Sequence, residues 1–177
     1  MKTTKRLTFG VLLFILSTSA MYSIIGWKIN ENDYIIKFET KKASGTIGGL
    51  KGALHFDPDN LGGADMDLSV DVNTLNLGND LKTKHAKADD FFDVEQYPTI
   101  YFKSTEFKKV TDGYEVSGNL TIKSTTKPIS ILFTFDANAS TPIFLGDFEL
   151  NRLDYGLTGK SSVGEILKIN IKVPVSK

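Results

Sequence analysis

The sequence predicts an all-β fold: an eight-stranded antiparallel barrel with one short helical insertion. Two observations carry that prediction. Beyond residue 27, large apolar residues recur at every second position in run after run, as in Tyr34, Ile36 and Phe38, or Ile129, Ile131, Phe133 and Phe135. Strand side chains point alternately to opposite faces, so each run has one dry face and one wet face. The runs also follow one another through short turn-forming segments. That pattern favours an up-and-down barrel over a Greek-key sandwich.

A short strand signal covers Trp27 to Asn30, and Asn32-Asp33 turns the chain into a second run, Tyr34 to Thr40. Thr46 to Phe56 is long and loosened by Gly48, Gly49 and Gly52, the mark of a bulge or bend. Asp57-Pro58-Asp59-Asn60 and Gly62-Gly63 are turn chemistry before Asp65 to Val72. Gly78 to Asp90 lacks alternation and is rich in helix formers, which predicts a short helix capped near Asn79 or Asp80. Thr99 to Phe107, Tyr114 to Ile122, Pro128 to Ala139, Ile143 to Asn151 and Ile166 to Val175 complete the strands. Asp112-Gly113 is a hairpin signal, and a loop with Gly156, Gly159 and Gly164 precedes the last strand.

The 177 residues are 41% hydrophobic and 24% charged, enough for one domain with its own core. Lys plus Arg and Asp plus Glu are both 21, so no global field argues for nucleic acid. Cysteine is absent, which excludes disulfides, thiolate metal sites, cysteine nucleophiles and a cysteine-linked lipid anchor. Lys2, Lys5 and Arg6 precede an apolar stretch from Leu7 to Leu16 and the small residues Ser17 to Ala20. That is a secretory signal pattern, too short to span a bilayer comfortably. The expectation is a leader over 1–20, cleaved after Ala20, a mature domain over 21–177 without a stable membrane anchor, and a periplasmic or secreted location.

Three segments together resemble the YceI-like family: Gly49 to Pro58, Asp90 to Phe102 with its Phe-Phe-Asp and Tyr-Pro elements, and Leu150 to Gly156 with Arg-x-Asp-Tyr-Gly. Gly118 to Lys123 and Thr126-Lys127-Pro128 add to the resemblance, which covers Trp27 to Val175. It implies a lipocalin-like barrel holding a long apolar ligand, a polyisoprenoid or isoprenoid quinone, with no catalytic set and no cofactor. Two places depart from common family forms: Phe38-Glu39-Thr40-Lys41, where many members carry histidine, and Lys84-His85-Ala86 in the helical insertion.

Eight strands either pack solid or hold one small ligand, so geometry alone leaves the interior open. The resemblance favours a cavity. Inward glycines Gly52, Gly118 and Gly146 point the same way by removing volume, or else relieve strand crowding or pair with a large neighbour such as Phe56 or Phe148. The alternation proposes Ile36, Phe38, Leu54, Phe56, Leu68, Val70, Phe102, Val116, Leu120, Phe133, Phe148 and Ile169 as lining residues. Phe91 and Phe92 form a lid or anchor the helix. Arg152 either holds a phosphate head group or ties its loop and stacks on an aromatic ring such as Trp27 or Tyr155. His55 and His85 lack a metal-ligand spacing or a nucleophile elbow and read as surface residues. The leading function is a lipid carrier. A lipid-directed hydrolase and a filled barrel acting as an interaction module are the alternatives, and a homodimer is compatible with any of them.

Overall fold

The computed structural model describes residues 25–159 and 163–177, so the expected leader over 1–20 lies outside the described residues. The strands are β1 (Lys28–Ile29), β2 (Ile35–Glu39), β3 (Ser44–His55), β4 (Asp65–Asn76), β5 (Thr99–Val110), β6 (Gly113–Ile122), β7 (Thr125–Phe135), β8 (Ile143–Asn151) and β9 (Ile166–Ser176), with one helix, α1 (Asp80–Lys87), between β4 and β5. All pairings are antiparallel. Strands β2 to β9 pair in sequence order, and β9 pairs with both β8 and β2, which closes an eight-stranded barrel. Strand β1 is an extra piece on the last residues of β9.

Two strands run past their predicted ends for local reasons. In β4 the inward residues Val72 and Leu75 are three apart, so period two breaks where the sequence reading stopped. Thr74 Oγ1 holds the irregularity together by donating to the Asp71 carbonyl and accepting from the Gly48 N–H. In β7 the strand starts ahead of Pro128. Residues 125–131 pair only with β6, and Pro128 stands opposite Asn119. Proline is tolerated beside an unpaired flank because it has no N–H to donate there.

The barrel has two unlike ends. At the base, Phe56 is fully buried, with the rings of Phe107, Tyr114, Phe133, Phe135 and Phe144 at centroid distances of 5.0–5.9 Å. Most of these contacts are edge-to-face, the arrangement that the ring quadrupole favours. Trp27 seals this end from below. Its Nε1 donates to the Phe56 carbonyl at 2.8 Å, and its ring meets Phe135 at 5.0 Å. At the other end stand the β2–β3 turn, the α1 segment, the β6–β7 turn and the β8–β9 loop.

The β7–β8 ladder is partial at the mouth end of the barrel. Strands β7 and β8 pair only from Leu132 to Phe135 against Phe144 to Asp147. Above that point 125–131 and 148–151 run toward the mouth without ladder bonds between them. Lys127 Nζ reaches Asp154 at 3.3 Å across the top of this gap.

The inward glycines do not hollow the interior as the sequence reading expected. Gly52 has φ +130° at the β3 bulge, and a Cβ there would strike the Asp67 carbonyl. A Cβ on Gly118 would come within 2.6 Å of the Phe102 ring and the Lys103 carbonyl, so this glycine makes room for a phenylalanine. Gly146 sits against Leu132, Ile131 and Phe133. Phe56→Ala should lower the unfolding free energy by about 3–5 kcal/mol in urea titration. Ile100→Ala, higher in the barrel beside empty space, should cost clearly less.

Candidate functional site

The upper half of the barrel is hollow. A cavity of about 170 Å³ is lined, among the described residues, by twenty apolar residues and one polar one, Ser69. Ile36, Phe38, Leu68, Val70, Phe102, Leu120, Phe148 and Ile169 line it, as the alternation proposed. Leu54, Phe56, Val116 and Phe133 do not. They are buried in the lower half, where the aromatic cluster fills the barrel. Alternation fixes which face a side chain takes but not its height along the barrel.

A second space of about 280 Å³ lies above the cavity. Phe38, Leu75, Phe92 and Leu167 line both, so the two spaces adjoin at these four side chains, the neck. Lys42, Lys82, His85, Asp90, Phe91 and Arg152 line only this upper vestibule.

Local structure sets each of these groups. Thr40 Oγ1 accepts from the backbone N–H groups of Lys42 and Ala43, which fixes the β2–β3 turn. Asn79 caps α1 by accepting from the Lys82 N–H at 3.0 Å. Asp80 in the first turn and Lys84, His85 and Lys87 in the last complement the helix dipole. Lys87 Nζ donates to the Asn73 carbonyl at 2.6 Å, and Lys123 Nζ to the Phe91 carbonyl at 3.0 Å, so two lysines staple the segment onto the barrel. The Phe92 N–H donates to the Ala86 carbonyl and sends the ring down into the neck.

Arg152 is 1% exposed. Its Nε donates to the Gly164 carbonyl at 2.7 Å, and its Nη1 to the carbonyls of Thr158, at 2.9 Å, and Leu157. The guanidinium lies 5.4 Å from the Phe91 ring centroid. Arg152 thus ties its loop and stacks on an aromatic ring, and that ring is Phe91 rather than Trp27 or Tyr155. Trp27 faces Lys177 Nζ instead, at 5.5 Å. The tied loop brings Leu157, which is fully buried, over the cavity.

His85 and Asp90 share the vestibule, but among the described residues no hydrogen bond joins them. A nucleophile and its base need contact of about 2.6–3.2 Å. His55 lies on the outer wall, 3.9 Å from Asp65. Among the described residues no cluster of His, Cys, Asp and Glu is placed to hold a metal, and no helix is long and apolar enough to cross a membrane.

A closed antiparallel barrel thus encloses an apolar cavity under a helical insertion. The family described as YceI-like domain matches residues 27–175. The chain belongs to the YceI-like family. A UPF0312 protein of Vibrio cholerae is 28% identical over 151 residues, which cover 81% of this chain and 77% of that protein. A UPF0312 protein of Yersinia pestis is 29% identical over 137 residues, 73% of this chain and 70% of that one. Among solved structures, this YceI-like barrel is similar in fold to Burkholderia cenocepacia BcnA, with TM-score 0.78 and 20% identity over 85% of this chain and 100% of BcnA. It is also similar to a polyisoprenoid binding domain from Saccharophagus degradans, with TM-score 0.60 and 12% identity over 87% of this chain and 99% of that domain.

Sequence reasoning missed the neck residue Leu75, the loop residue Leu157 and the vestibule cations Lys42 and Lys82. Leu75 lies past a break in the period and Leu157 on a loop, where no period exists. In this YceI-like barrel Arg152→Ala should cost roughly 1–3 kcal/mol or more, because it strands buried carbonyls. Arg152→Lys should not restore the loss, since an ammonium lacks the planar fork. Denaturant midpoints check both.

Burial, and secondarily the Asp154 carboxylate, pushes the Tyr155 phenol above its ordinary value of 10.0. A raised folded-state value means that this contribution to stability is complete below pH 10.0. It is lost as pH rises through the folded-state value. Tyr155→Phe should flatten that alkaline decline in thermal melts recorded against pH.

Proposed function

We propose that this protein is a carrier that works outside the cytoplasm and holds the chain of a polyisoprenoid or isoprenoid quinone inside its barrel. The observation that carries this reading is the cavity: twenty apolar residues around one void, sealed at the base by aromatic rings and continued upward through an apolar neck. An apolar void of about 150 Å³ stays dry and accepts a benzene-sized guest. A cavity of about 170 Å³ therefore receives the tip of a prenyl chain, while the following units extend through the vestibule. Each buried methylene contributes about 0.8 kcal/mol, so each five-carbon unit adds roughly 4 kcal/mol before ordering costs. The Saccharophagus degradans relative, a polyisoprenoid binding domain, supports the ligand class. The cationic, apolar and small-residue order of residues 2–20 supports export.

Expression of the full chain in its native host, detergent-free purification and mass spectrometry of the solvent extract test the reading. A stoichiometric prenyl lipid in a periplasmic or secreted fraction is the expected result. An empty barrel that also fails to take up added quinone overturns it. Ile169→Trp, which fills the cavity, should lower bound lipid roughly tenfold or more while the circular dichroism spectrum stays unchanged, as a loss on the order of 1.4 kcal/mol implies.

A further inference from the structure

The vestibule differs from the cavity in one property that the carrier reading does not use: its charge. Among the described residues, Lys42, Lys82 and Arg152 face the same space as one carboxylate, Asp90, and His85 adds an imidazole. Lys82 and His85 are three residues apart on α1, so they share the helix face that carries buried Ala86. Among the described residues the side chains of Lys42, Lys82 and His85 take part in no hydrogen bond or ion pair. The nearby Lys87 and Lys123 differ, because backbone carbonyls hold them. The lid segment is therefore fastened by two lysines, while two others and a histidine stand at the rim of an apolar neck.

We propose that this rim binds the acidic head group of a single-chain amphiphile whose apolar chain passes the neck into the cavity. The inference rests on the reading of the barrel as a carrier of one long apolar chain, and gives that chain a carboxylate or phosphate end. Three structural facts converge on it. The two spaces adjoin at Phe38, Leu75, Phe92 and Leu167, so one molecule that turns these side chains aside occupies both. The inner space is apolar and ends at the aromatic base, which suits one chain and offers no partner for a head group. Cations around a partly enclosed space focus their field on an anion entering it, and hydrogen bonds to an ionised head group are stronger than neutral ones.

Calorimetric titration of the delipidated full chain tests this with four probes: pentadecanoate, farnesyl phosphate, farnesol and a neutral isoprenoid quinone. Pentadecanoate, farnesyl phosphate or both should bind at least about tenfold tighter than farnesol, as one or two charge-assisted hydrogen bonds imply. Binding by pentadecanoate alone identifies a fatty-acid head, and binding by farnesyl phosphate alone identifies a prenyl phosphate. Lys42→Gln with Lys82→Gln, both at exposed positions, should remove that advantage and leave farnesol binding unchanged. The advantage should also shrink between about 50 and 300 mM salt. Equal binding of farnesol and the anions, or an advantage that survives the double substitution, overturns the inference and leaves the carrier reading standing. Failure of all four probes overturns both.

Discussion

The aromatic cluster around Phe56 is the constraint on which the rest of the molecule depends. A barrel of eight strands is narrow enough for side chains to fill it from end to end. Here the largest rings gather at one end, where Phe56 touches five others and Trp27 closes the base. Above that level the inward residues are mostly Ile, Leu and Val, with Phe38, Phe92, Phe102 and Phe148 around the wall. Their summed volume falls short of the space between strands, so a void remains. The core that stabilises the fold and the cavity that serves function are thus two heights of one interior.

Packing at the mouth follows from the need to keep that void accessible while its loops stay ordered. Polar bonds to backbone anchor three of these loops, while Phe92 and Leu157 reach down to the cavity. Thr40 fixes the β2–β3 turn, Asn79 caps α1, and Arg152 gathers three carbonyls of the β8–β9 loop. A buried guanidinium is costly unless its donors are satisfied, and these carbonyls supply acceptors along its planar fork. Phe91 covers its face, and Gly159 lets that ring approach because a side chain there would collide with it. Polar bonding therefore stays at the rim, and the wall below stays dry.

Strand order, barrel closure and the helix cap were legible because they depend on period, turn chemistry and short-range capping. Inward or outward placement was legible for the same reason, and Phe56 and Phe102 were both placed inside. What separates those two is height, which depends on how far each strand slides past its neighbour. No single strand encodes that offset. The glycines misled because the sequence gives their inward direction without the neighbours that occupy the space. Gly118 is filled by the Phe102 ring. Leu157 and Lys42 were hidden for another reason, since loop residues follow no period and gain a place only from the bonds that Arg152 and Thr40 make within their own loops.

The parting of β7 from β8 above Leu132 sets the mechanical character of the mouth. A closed hydrogen-bonded hoop has a fixed girth, because widening it anywhere breaks backbone bonds. Toward the base the hoop is also interrupted, since β3 pairs with β2 only over 44–47 and β5 with β4 only over 99–103, but there the packed rings around Phe56 fill the interior. Around the upper barrel it is interrupted between 125–131 and 148–151, and the exposed Lys127–Asp154 pair spans the interruption. Such an exposed pair is worth at most about 1 kcal/mol. The girth of the rim is therefore set by side-chain packing and one weak ionic clasp. Packed rings hold the base and only that weak clasp spans the β7–β8 gap above it, so guests of different thickness can spread the mouth without disturbing the aromatic cluster.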